Sequence, residues 1–461
     1  MRNPAYQGSA KIHYYAVEDY LTRENKLSLL TSFQTLEDIP FTEIIPNSQG
    51  DWLNQRNSDF QTLIPLKPLK KGKNNTATTN NETPAVFLVD SLGLGTNRDA
   101  WVYNFSRAQL QKSMETCIQT YRSDLQAFDK KAFEARTQNI PNAGKYKELT
   151  DKDITTDSTK ISWSDGLKNR LIKQENIPDF NPDSIRTAFH RPFVKTNVYW
   201  EKTWNHRQYQ LPKIFPKAES ENRVILTSLM TNRAFCVLMT DTLPDLQTLP
   251  NTQVFPLYAY TEYGREDNIN PYFVKLFQNV LGDHTIGSED IFYYCYAVFH
   301  HKTYTETSAN DLAKEAPRLP ILKEFQTLAA LGRALGDLHC RYEDQEPWSS
   351  VTIKEENYRV EKIRRSKENG SVMIYNPSIT INDIPPKAYD YIINGKSAID
   401  GFIERYQNTT DKDTLIPNDP NAFRGEKYLF DTLCKLITVS LKSVDLIEKI
   451  NALPYDRVEG G

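Results

Sequence analysis

The chain has 461 residues, 39% of them hydrophobic and 25% charged, with a formal net charge of -3 at pH 7. That content is globular and excludes a wholly disordered chain, and the length allows roughly two to four structural units. Near-neutrality neither favours nor excludes a polyanionic partner, because such a partner is held by a local basic face and not by the total charge.

Five cysteines (Cys117, Cys236, Cys295, Cys340 and Cys434) lie far apart with no CxxC pair. That spacing argues for a reducing compartment, against a disulfide scaffold and against a structural zinc. No apolar run approaches the roughly 18 residues needed to span a bilayer. The opening stretch MRNPAYQGSAKIHYY has no apolar signal core, so a soluble, cytoplasmic protein is expected.

In chain order, Ala10–Val17 is a β-prone run, and Thr22–Leu30 reads as a short helix capped by Thr22, with Leu27, Leu29 and Leu30 inward. Lys67–Thr83 is polar and low in complexity, as expected of a mobile surface loop. Ala85–Asp90 is the next strand signal, closed by the turn SLGLGTNRD. From Ser106 to Arg136, Leu110, Met114, Cys117, Ile118 and Tyr121 recur at helical spacing.

Short β-type runs dominate 160–259, and a helical block follows from Pro271 to Arg341. Strands are expected at Tyr358–Ile363, Val372–Tyr375, Ile379–Ile381 and Tyr389–Ile393, then helices at Ser397–Tyr406 and Glu426–Asn451. Clustered strands and clustered helices predict an α+β class with mixed and antiparallel sheets, in two or three subdomains. The expected organisation is 1–107 as strands and a loop, 108–157 as a helical linker after which the chain changes character, and 158–461 as an α+β domain.

The sequence offers no catalytic constellation. SLGLGTNRD carries Gly93 and Gly95 but lacks the third glycine of a dinucleotide fingerprint. NPAY (Asn3–Tyr6) is similar to the NPPY with which amino-methyltransferases hold an extruded adenine, but it follows no strand and no cofactor-binding glycine loop. The seven histidines form no ligand set: His300 and His301 are adjacent and diverge, and His339 sits in a helical stretch. Asp445–Lys449 reads as a charged helix face. No metal site is expected.

Binding chemistry has more to work with. Between Arg186 and Tyr209, Arg and Lys alternate with Phe, Tyr and Trp, and a second basic cluster runs from Lys354 to Lys367. Guanidinium groups bond phosphate or guanine edges bidentately, and aromatic neighbours stiffen the surface that presents them. The plainer reading is a strand edge protected by charge.

A set of phrases then resembles the C-terminal part of the type ISP restriction–modification enzymes: SAKIHYYAVEDYLTRENKL, IIPNSQGDWLNQR, DSLGLGTNRDAWVYNFS, IRTAFHRPFVKTNVYW, NRAFCVLMTDTLPDL, FPLYAYT, EAPRLPI, FQTLAALGRALGDLHCRYE and GKSAIDGFIERY followed by NDPN. They run in the family's order from about Ser9 to Asn421. The segment TSANDLAKE is less basic and aromatic than the family's pattern, and the closing VEGG has no assigned role.

The resemblance implies a non-catalytic, sequence-specific double-stranded DNA target-recognition region. The last strands of an adenine methyltransferase sheet would lie at its start, formed by Ala10–Val17 and Ala85–Asp90. S-adenosylmethionine and ATP would belong to upstream domains, and the methyltransferase and ATPase/nuclease domains of the same polypeptide or complex would be its partners, with no membrane. The rival from another class is a structural coupling module that contacts those domains and leaves DNA reading to others. The candidate DNA-contacting residues are Arg186, Arg191, Lys195, Arg207, Arg233, Arg359, Lys362, Arg364, Arg365 and Lys367, expected to converge on one concave lane. Asn97, Arg98 and Asp99 are expected at a domain junction.

Overall fold

The structure is a computed structural model that describes residues 10–68, 84–231 and 233–458. The NPAY tetrapeptide, most of Lys67–Thr83 and the closing Glu459–Gly461 lie outside the described residues. The chain forms two compact units, Met1–Thr62 and Leu63–Gly461.

In the first unit, β1 (Ile12–Tyr14) pairs antiparallel with β2 (Thr42–Ile44), placing Ile12 opposite Ile44. Between them lies α1 (Arg23–Ser32), started by Thr22, whose hydroxyl accepts from the Asn25 amide at 3.2 Å. The cap falls where the sequence puts it, but the apolar face does not turn inward. Helix α1 has no buried residue, and Leu27 and Leu30 are 54% and 47% exposed. Three leucines on a ten-residue helix next to a two-stranded sheet have too little interior to enter. Leu36, Ile45 and Trp52 are exposed as well.

The second unit opens with β3 (Ser91–Leu92), β4 (Tyr103–Asn104) and the long helix α2 (Arg107–Ala127). Leu110, Met114, Cys117, Ile118 and Tyr121 form the buried stripe of α2 that their spacing predicts. Next come β5 (Ile185–Arg191), β6 (Val194–Tyr199), β7 (Val224–Thr227), β8 (Val237–Thr240), β9 (Leu243–Pro244) and β10 (Gln253–Pro256). They build two four-stranded sheets. One has the order β9-β5-β6-β4, with β9 parallel to β5 and the other pairs antiparallel; the other has the order β3-β10-β7-β8, wholly antiparallel. The hairpin of β11 (Tyr258–Thr261) and β12 (Gly264–Asp267) follows.

A helical layer comes next: α3 (Pro271–Leu281), α4 (Ser288–Val298) and α5 (Phe325–Cys340). A third four-stranded sheet takes β13 (Val351–Ile353), β14 (Arg364–Arg365), β15 (Met373–Ile374) and β16 (Ile379–Ile381), in the order β13-β16-β15-β14. The hairpin of β17 (Ile392–Ile393) and β18 (Lys396–Ser397), then α6 (Ala398–Arg405) and α7 (Tyr428–Asn451), complete the unit. The class is α+β.

Two strand expectations fail for one physical reason. Ala85–Asp90 forms no ladder: Phe87 makes a single bridge to Ile269, and the Asn268 side chain accepts from the Val89 amide at 2.7 Å and donates to its carbonyl at 2.8 Å. Tyr358–Ile363 is likewise irregular, because the Asn421 side chain accepts from the Val360 amide and donates to its carbonyl, both at 2.7 Å. A side-chain amide carries the same donor and acceptor as a peptide group, so it satisfies an extended segment without a neighbouring strand. Ala10–Val17 lies in the first unit, where Ile12–Tyr14 pairs with Thr42–Ile44, and Ala85–Asp90 lies in the second, bridged to Ile269.

Helices α4, α5 and α7 meet in the core around His339, which is 1% exposed. The Ser443 hydroxyl donates to the Val439 carbonyl at 2.7 Å, so it accepts from His339 Nε2 at 2.9 Å, leaving Nδ1 to accept from the Tyr296 hydroxyl. Close packing of α4 on α5 requires glycine at 332: a Cβ there would lie 2.0 Å from the Tyr293 carbonyl oxygen. G332A is accordingly expected to cost about 1–3 kcal/mol of stability in urea unfolding.

Burial holds His339 well below the usual histidine range, with the nearby His300 adding to the effect, and burial brings His300 itself down to about 4. A histidine in the unfolded chain titrates near pH ~6.5. Stability is therefore complete above that value and is lost as pH falls, because the unfolded chain takes up protons that the fold refuses. The urea midpoint should drop between pH 7 and pH 5, and less steeply in H339Q; an equal slope in both proteins would contradict this account.

Candidate nucleic-acid interface

The Arg-rich run 185–199 forms β5 and β6, the two central strands of their sheet. Every residue of β6 is buried, so its cation lies inside. Lys195 is 7% exposed; its Nζ donates to Glu343 at 2.7 Å and lies 5.0 Å from the centre of the Tyr342 ring. Glu343 also accepts from the Tyr428 hydroxyl and pairs with Arg424 at 3.2 Å. Burial alone would raise the Glu343 pKa. The charge and hydrogen bond of Lys195, followed by Tyr428 and Arg424, outweigh it and hold the group below the ordinary carboxylate range.

At the end of β5, Arg191 donates to Asp245 at 2.8 Å and lies 4.0 Å from Asp99, while the Tyr103 hydroxyl donates to Asp245 at 2.9 Å. His190 Nε2 is 4.0 Å from Asp99, which also accepts from the Thr96 hydroxyl. The two acids respond in opposite directions. Burial raises Asp245, against the pull of His190 and Arg191; at Asp99 the effect of burial is outweighed by the nearby His190, by the hydrogen bond from Thr96 and by the charge of Arg191. Asp99, His190 and Asp245 each place a donor atom within 4.8 Å of the others, a ligand-like grouping. The Arg191 guanidinium already supplies the positive charge that an ion would bring there. The turn 91–99 is pressed onto this cluster: a Cβ at Gly93 would lie 2.3 Å from the Asp245 carbonyl oxygen. Asn97 takes a left-handed φ of 56° at the exposed apex.

Arg98 is 5% exposed and donates to Ser164 Oγ at 2.6 Å, beside the Trp204 ring. Ser164 also caps the helix Asp165–Ile172, so Arg98 ties the turn to a helix start. Burial depresses its pKa.

The ten candidate cations thus separate. Arg186 donates to the Phe215 and Pro216 carbonyls at 2.8 and 2.9 Å, and Arg191 and Lys195 have the internal partners just described. Arg359 pairs with Asp419 at 2.8 Å, and Arg365 pairs with Asp400 and stacks on Tyr389. Arg233 donates to Asn394 at 2.9 Å, joining two loops. Arg207, Lys362, Arg364 and Lys367 are exposed and form no ion pair among the described residues. The interleaving of cations and aromatics marks interior pairing in β5–β6 and a charged surface in 362–367, and one lane does not collect all ten.

Sequence reasoning missed a second set of cations, which line a furrow of about 610 Å³ between α4, α5 and the segment 218–223. Arg223 pairs with Asp337, Arg333 pairs with Glu289 at 2.8 Å, and both guanidinium groups lie against the Tyr293 ring. Arg333 and Asp337 are four residues apart on α5, a spacing that marks a charged helix face but not what it pairs with.

Residues 85–432 match the model of the Type ISP C-terminal specificity domain, and the chain belongs to that family. Three solved structures are similar to it. A nuclease-deletion mutant of the Type ISP restriction–modification enzyme LlaGI in complex with a DNA substrate mimic is 33% identical, with 95% of this chain and 39% of that one covered and a TM-score of 0.81. The ATP-dependent Type ISP enzyme LlaBIII bound to DNA is 32% identical, with 98% and 28% covered and a TM-score of 0.83. A DrdV–DNA complex is 30% identical, with 97% and 43% covered and a TM-score of 0.80. The chain therefore spans well under half of each of these proteins. No curated protein matches it.

The two classes of cation differ in what removal does. R191M leaves the Asp245 carboxylate, 3% exposed, without its charge partner, and should cost about 3–5 kcal/mol. R207A, at an exposed site with no ion pair among the described residues, should stay within about 0.5 kcal/mol. Urea unfolding of the two variants beside the parent checks both.

Proposed function

We propose that this chain recognises a specific double-stranded DNA sequence, as the target-recognition region of a restriction–modification enzyme that joins adenine methylation to ATP-dependent cleavage. The observation that supports it most is similarity over 95% and 98% of the chain to two Type ISP enzymes held on DNA. The geometry fits the same reading. A recognition region must keep cations available to meet phosphates and base edges, and Arg207, Lys362, Arg364 and Lys367 are exposed with no ion pair among the described residues.

On this reading S-adenosylmethionine and ATP act in domains outside the chain, and the protein works in the cytoplasm. The apolar residues exposed on the first unit, Leu27, Leu30, Leu36, Ile45 and Trp52, support contact between that unit and the methyltransferase part of the same enzyme.

Selection from randomised duplexes should enrich one short motif. Affinity should fall steeply between low and moderate salt. The triple variant K362A/R364A/K367A should lower affinity and flatten the salt dependence while leaving the unfolding midpoint in place. Failure of the parent chain to bind any duplex at low salt would remove the proposal.

A further inference from the structure

A second cleft, of about 370 Å³, has a different charge balance from the furrow between α4 and α5. Arg107, Arg186, Lys217 and Arg424 line it from four separate segments, and Asp241 is its one carboxylate. In the furrow Arg223 meets Asp337 and Arg333 meets Glu289; here Arg424 is paired with Glu343 outside the lining, and Arg107, Arg186 and Lys217 have no ion pair among the described residues.

The cations are held differently from one another. Arg186 is fixed by two backbone carbonyls and by the Trp200 ring, 5.2 Å from its guanidinium carbon, so its direction is set without a neutralising carboxylate in contact. Burial accordingly depresses its pKa, with Glu219 only partly restoring it. Lys217 makes no side-chain bond or ion pair among the described residues, and Arg107 has only a long contact, 3.5 Å, to the Pro182 carbonyl.

Arg107 is also the first residue of α2, a 21-residue helix with no acid in its first turn. The positive end of a helix ordinarily attracts carboxylates, so an arginine there adds like charge to like. Arg424 is offset by Glu343, but Arg107, Lys217 and the carbonyl-held Arg186 gather positive charge with no carboxylate in contact, an arrangement suited to an anion supplied from outside.

We propose that this cleft seats one or two backbone phosphates of duplex DNA, fixing the register of the recognition region instead of reading bases. The inference rests on the DNA-recognition reading above. Its ligand is a phosphodiester, taken as the duplex backbone and not as a free anion. Thr187 and Ser220 on the same walls offer hydroxyl donors for the remaining phosphate oxygens.

Duplex binding by the 461-residue chain, followed by fluorescence anisotropy over a salt series, tests it with R107A, K217A and the double variant. Both side chains are exposed, so the fold is expected to survive, and thermal unfolding verifies that. Each substitution should weaken binding equally across duplex sequences and reduce the slope of log K against log salt by about 1. K217R should retain the parent slope.

A duplex with single neutral methylphosphonate linkages should locate the seat: one or two positions should weaken the parent but not the double variant. If the parent binds duplex and the double variant matches it in affinity and slope, the cleft is not a phosphate seat although the DNA reading stands. If the parent binds no duplex, both fall. Saturable binding of inorganic phosphate at fixed ionic strength, lost in the double variant while duplex affinity is unchanged, would also overturn the proposal by moving the seat to a free anion.

Discussion

Two cations on adjacent central strands dictate much of how the second unit is assembled. Lys195 and Arg191 lie on β6 and β5 at the centre of a four-stranded sheet, where a charge without a partner is not tolerated. Glu343 answers the first from 148 residues away, and Asp245 answers the second from 54. Each acid in turn gathers further donors: Tyr428 and Arg424 at one, Tyr103 at the other. The start of α7, the segment after α5, the turn 91–99 and the loop after β9 are thereby brought to the same sheet. Hydrophobic burial supplies the bulk of the stabilisation, but these ion pairs select which segments meet.

Much of this fold is legible in the sequence. The stripe of α2, the paired β runs between 185 and 261, the helical block and the two closing helices follow from local periodicity and capping residues. Strands failed where a distant asparagine side chain replaced a neighbouring strand, as at Val360 with Asn421, and no local window contains that information. The leucines of α1 failed for lack of an interior to enter.

The candidate site was harder to read. An arginine between aromatic residues looks the same on a surface as in a sheet that carries its own counter-charge, and what decides is an acid far away in the chain. Arg191 and Lys195 turned inward for that reason and Arg186 was fixed by two backbone carbonyls, whereas Arg207, Lys362, Arg364 and Lys367 stayed out. Arg107 and Lys217 escaped attention because each stands in an ordinary stretch. Only folding sets them beside Arg186 and Arg424.

The internal closure of Asp245 and Glu343 has an evolutionary corollary. With the scaffold's charges satisfied among themselves, the outward-facing cations are thermodynamically uncoupled from the framework beneath them. Residues such as Arg364 or Lys367 can drift, swap sign or shorten at little expense to folding, while the same exchange at Arg191 would unseat the sheet. A framework so insulated leaves its outer face free to diversify between lineages while the interior stays put.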